Sequence, residues 1–73
     1  MAQLQVRVGR TIQGLRKAAG YSQESFADEV GVHRTYMGAV ERGEKNISLR
    51  NLERIAEALG IRTSELLRRA EAG

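Results

Sequence analysis

"VGVHRTYMGAVERG", residues 30–43, holds the end of one helix, a glycine turn and most of a second helix. Val30, Gly31 and Val32 alone separate the apolar-periodic segment before them from His33, the cap of the next helix. So short a connection makes the two helices meet at a steep angle. Met37 and Val40 recur at helical spacing and point to a core, which puts His33, Arg34, Thr35, Tyr36, Gly38, Ala39 and Arg42 on outer or flanking surfaces. Gly38 weakens this helix by about 1 kcal/mol relative to Ala. Its first turn is crowded with hydrogen-bonding side chains, so stability alone does not account for it.

Glycines at 20, 31, 43 and 60 each follow an apolar-periodic segment, where a left-handed C-terminal residue is favoured. Five helices result. The first carries Val8, Ile12, Leu15 and Ala19, and the second starts at Ser22 with Phe26, Ala27 and Val30 inward. The third is capped by His33. The fourth starts at Ser48 with Leu49, Leu52, Ile55, Ala56 and Leu59, and the fifth runs from Thr63 to about Ala70. The pairs Tyr21 with Phe26, Val32 with Met37 and Ile47 with Leu52 fit hydrophobic staples at three of these starts. Alternating strand patterns, internal repeats and linkers are lacking, so an all-α single domain over residues 1–73 is expected.

With 73 residues the core is modest, and with no cysteine and a single histidine neither disulfides nor a Cys/His zinc site supplements it. No metal site and no cofactor are expected. No stretch approaches the roughly 18 apolar residues of a membrane span, and the N-terminus has no apolar signal region, so a cytoplasmic protein is expected. No acid pair or nucleophile–base set appears, and the chain leaves little room for a substrate pocket, so neither an enzyme nor a small-molecule receptor is expected. The net charge of +3 suits a polyanion. Basic residues occupy 1–23 and 34–50, while Glu24, Asp28 and Glu29 lie between them. A fold can gather the basic segments on one face, or they can be ordinary solvated helix surface.

The tight pair is a helix-turn-helix unit spanning about residues 22–42. Gln23 to Arg42 resembles that unit in the phage-repressor (Cro/CI, XRE) family, and the likeness runs from "VGRTIQGLRKAAGYSQESFA" through "ERGEKNISLRNLERIAEALGI". Within that family "HRTY" and "ERGEKNISL" are similar to the small controller proteins of restriction-modification genes. The resemblance implies a compact five-helix, lambda-repressor-like fold and a DNA-binding regulator of bacterial or phage type acting at the nucleoid.

On this reading the first turn of the third helix enters the major groove. There Arg34 can bond guanine O6 and N7 together, and Thr35 can combine a hydroxyl contact with packing on a thymine methyl. His33, Tyr36 and Ala39 complete the base-reading candidates. A histidine at the position of His33 is more often a cap or surface residue than a base reader, and Tyr36 reads equally as a half-buried ring with its hydroxyl in water. Phosphate contacts are assigned to Ser22, Gln23, Arg42, Lys45 and Asn46, with Gln23 matching the family's backbone-contacting glutamine. Arg16 and Glu41 stand where the family commonly has a salt bridge between the first and third helices. Three departures from the pattern are visible. Ser25 replaces an acidic residue, so the capping box at Ser22 is expected to lose its reciprocal half. Ile47 follows Asn46 in place of proline, and Gly38 replaces serine.

One recognition helix covers few base pairs, so a homodimer placing two helices about 34 Å apart on a palindrome is expected. Ile61, Leu66 and Leu67 around the fifth helix are the interface candidates, with closure of the monomer core as their other reading. Double-stranded DNA is the expected partner and RNA polymerase a further candidate. The alternative function is a protein-interaction module, such as an antitoxin, on the same scaffold.

Overall fold

The computed structural model describes residues 3–73; Met1 and Ala2, the first two positions of the expected domain, lie outside the described residues. The described residues form five helices: α1 Leu4–Ala18, α2 Gln23–Val30, α3 Arg34–Glu41, α4 Leu49–Ala58 and α5 Thr63–Ala72. The all-α, five-helix expectation holds, with α5 running two residues beyond its expected end.

The starts of α2, α3 and α4 are each capped by a side chain. The Ser48 hydroxyl accepts from the Asn51 amide at 3.1 Å, and His33 Nδ1 accepts from the Thr35 amide at 3.0 Å. At α2 the expected loss of the reciprocal cap is corrected. The Ser22 hydroxyl accepts from the Ser25 amide and the Ser25 hydroxyl accepts from the Ser22 amide, each at 3.0 Å. A serine oxygen is thus an adequate acceptor for the task usually given to Glu or Gln. The helices stop where the punctuation placed their ends, with Gly20, Gly31, Gly43 and Gly60 all at positive φ. Gly31, at φ +88°, turns the chain between α2 and α3, a conformation that a Cβ would strain.

The core lies where all five helices converge. Ile12, Phe26, Ala27, Met37, Ile55, Leu66 and Ala70 are fully enclosed, with Val8, Val30, Val40, Leu52 and Ala56 close around them. Enclosing each large apolar side chain contributes about 1.5–3 kcal/mol. The stapling residues lie at the rim. Tyr21 packs against Phe26 with ring centroids 5.1 Å apart and the planes tilted by 56°, and Val32 and Ile47 pack against the core half-buried. α1 packs on α3 and α5, α2 on α3 and α4, and α4 on α5, so α3 is held from two sides.

Two inward assignments are corrected. Ala19 is exposed because α1 ends at Ala18 and the chain turns away through Gly20. Leu49 is 81% exposed: its helical angle matches Leu52 and Ala56, but as the first residue of α4 it stands beyond the elements that would cover it. Leu15 and Leu59 are half-buried.

Candidate nucleic-acid interface

α2 and α3 cross with the start of α2 beside the middle of α3. Gly38 makes that approach possible, and it is buried, not on the outer or flanking surface expected for it. A Cβ there would lie 3.0 Å from Arg42 Nη1 and 3.2 Å from Gln23 Oε1. The glycine therefore makes room for two of the proposed phosphate-contacting side chains. Around it a shallow groove is lined by Gln23, Glu24, Arg34, Thr35, Gly38 and Arg42.

Beneath the groove is a buried ion pair. Arg16 Nε and Nη2 donate to Glu41 Oε2 and Oε1 at 2.7 and 3.0 Å, with side chains 7% and 1% exposed. Arg16 Nη1 donates to the Tyr21 carbonyl at 2.9 Å, and Gln23 Nε2 donates to Glu41 Oε1 at 3.1 Å. A single network thus joins the end of α1, the start of α2 and the end of α3. Such a pair contributes orientation more than net stability, since its mutual attraction barely exceeds its desolvation cost. Gln23, read from sequence only as a phosphate contact, is the third member of this lock.

The base-reading candidates separate into two groups. His33, Arg34 and Thr35 are exposed on the first turn of α3. Because His33 Nδ1 accepts from the Thr35 amide, the tautomer that fits leaves the other ring nitrogen as an N–H donor on an exposed side chain. Tyr36 and Ala39 are half-buried, and the Tyr36 hydroxyl accepts from Asn51 Nδ2 at 3.1 Å. The phenol thus ties α3 to α4, a role between the two readings considered for it. Arg34 Nη1 donates to Glu24 Oε2 at 3.0 Å, both side chains being 65% exposed.

Of the phosphate candidates, the Ser22 hydroxyl is occupied by its cap, and Gln23 lines the groove. Arg42 is exposed and pairs with Glu44 at 3.1 Å, and Lys45 and Asn46 are exposed on the loop that follows. That loop lacks proline, but it is fixed otherwise: Gln5 Nε2 donates to the Gly43 carbonyl at 2.6 Å and Ile47 packs on the core. Sequence reasoning missed Gln5, Glu24 and Asn51. Their partners are 38, 10 and 15 positions away, so no local spacing marks them.

The interface candidates are corrected in one place. Leu66 is 0% exposed within a single chain and has no surface to offer, because it closes the core under α1 and α4. Ile61 and Leu67 are half-buried at its edge.

A fixed short helix with an exposed polar first turn, set across a second helix by a buried lock, defines a helix-turn-helix DNA-binding module. The chain belongs to the helix-turn-helix family of phage-repressor (XRE) type, a family of DNA-binding transcription regulators, whose pattern matches residues 12–66. It is 45% identical over 67 residues to the control protein C.MunI of Mycoplasma sp, covering 90% of each chain. The restriction-modification controller protein C.AhdI from Aeromonas hydrophila superposes with a TM-score of 0.81 at 46% identity, over 84% of this chain and 92% of that one. The biofilm master regulator SinR, in a structure solved in complex with DNA, superposes with a TM-score of 0.78 at 33% identity, over 82% of this chain and 97% of that one. Among the described residues no helix is long and apolar enough to cross a membrane.

Proposed function

We propose that this protein is a controller-type transcription regulator that binds a palindromic operator as a homodimer, each subunit placing the first turn of α3 in the major groove. One observation carries the reading. Arg34 and Thr35 project from the end of a helix whose other face is locked by Arg16, Glu41 and Gln23. Arg34 supplies the bidentate guanine contact and Thr35 the hydroxyl and methyl contacts, with His33 adding an exposed donor. Gln23, Arg42, Lys45 and Asn46 set the register through phosphates, helped by the free amides at the start of α2. The dimer forms around α5 with Ile61 and Leu67 at its centre. A dimer placed beside a promoter is also positioned to touch RNA polymerase. With no effector pocket invoked, occupancy follows protein concentration and operator affinity.

The test is selection from a labelled genomic fragment pool at about 0.15 M salt, where the electrostatic background is controlled. Enrichment of a palindromic sequence, lost in Arg34→Ala, supports the reading. Equal retention of all fragments, with Arg34→Ala binding as wild type, overturns it.

A further inference from the structure

We propose that Glu24 is a positioning residue for Arg34, and that it determines sequence selectivity without contacting a base. This rests on the major-groove reading above. Glu24 lies in the first turn of α2, where the helix amides favour its negative charge, and its carboxylate holds Arg34 Nη1 at 3.0 Å across the inter-helix groove. The bond is made at one nitrogen. The Nε–Nη2 edge of the guanidinium makes no other hydrogen bond to the described residues, and that edge offers the two parallel N–H groups that fit guanine O6 and N7.

Two consequences follow. Arg34 is a long side chain with several free torsions, and anchoring one end before DNA arrives reduces the freedom lost on contact. The second is a penalty on wrong sites. Should Arg34 swing away to a phosphate, Glu24 is left as a bare carboxylate facing the DNA backbone. Only a site offering guanine to the free edge satisfies Arg34 while Glu24 stays neutralised. The acidic charge thus discriminates against the sequence-independent attraction that the basic residues provide.

The experiment compares wild type, Glu24→Gln, Arg34→Ala and the double variant. Each is titrated against the enriched duplex, the same duplex with its contacted guanine replaced, and a mixed-sequence duplex, over a range of salt. Glu24→Gln is expected to bind mixed sequence more tightly, and to lower the ratio of specific to non-specific affinity about three- to tenfold, a fraction of what a whole bidentate contact supplies. In the Arg34→Ala background the same change is expected to leave the ratio unaltered. Its melting temperature stays that of wild type, because an ion pair this exposed contributes little to stability. An unchanged ratio in Glu24→Gln, or an equal loss with and without Arg34, overturns the proposal. If wild type itself enriches no sequence, the major-groove reading fails first and is distinguished from failure of Glu24's role.

Discussion

At the scale of single residues, the buried Arg16–Glu41 pair and two glycines decide how α3 is presented. Removing one partner of a buried pair strands the other, which costs about 3–5 kcal/mol. Glu41→Ala is therefore expected to lower the urea midpoint sharply and to weaken DNA binding, while the order of preferred sequences stays the same. The glycines respond in opposite ways. At Gly9 a Cβ would lie 2.8 Å from the Glu41 carbonyl oxygen and closer still to that of Val40. Backbone cannot yield as a side chain does, so Gly9→Ala forces α1 off α3 and costs about 1–3 kcal/mol. At Gly38 the obstacles are the flexible ends of Arg42 and Gln23. Gly38→Ala regains helix propensity of up to about 1 kcal/mol. It is expected to raise the melting temperature while lowering DNA affinity, since both displaced side chains line the groove. Calorimetry alongside binding titration checks each pair of outcomes, and parallel behaviour of the two glycine variants would contradict this account.

At the scale of elements, the helices were legible from local signals because caps, staples and glycine stops act within a few residues of one another. Leu49 shows the limit: periodicity assigns an angle around the helix axis, but whether anything stands opposite depends on where neighbouring helices end. α5 adds a second case. Glu65, in its first turn, accepts from Arg68 at 2.6 and 3.0 Å and from Arg69 at 2.9 Å, which lowers its carboxyl to about 2, while the Arg68 guanidinium is raised. A depressed carboxylate stabilises the fold fully above its unfolded value of 4.5 and loses that contribution as pH falls toward 2. Helicity of α5 is expected to decline over that acidic window in wild type and to show no such step in Glu65→Gln. Proton-detected titration of Glu65 checks the sign, and a midpoint at the ordinary carboxylate value would contradict it.

At the scale of the whole molecule, the two leucines of α5 differ in burial, Leu66 being enclosed and Leu67 half-buried. Leu66→Asp places a charge in the enclosed core and is expected to unfold the chain. Leu67→Asp, at the half-buried edge, is expected to leave the monomer folded and to shift sedimentation from dimer to monomer, with operator affinity falling in step. If Leu67→Asp sediments as wild type does, the proposed interface lies elsewhere. By itself the sequence determined the five helices, the caps of α2, α3 and α4, the glycine stops, the pairing of α2 with α3, and the type of residue on the first turn of α3, because each follows from contacts between near neighbours in the chain. Tertiary structure alone decided that Gly38 is a buried spacer, that Gln23 joins the Arg16–Glu41 lock, that Glu24 holds Arg34 and that Leu66 belongs inside. Those contacts join residues on different helices, and only the packing of those helices sets the distances between them.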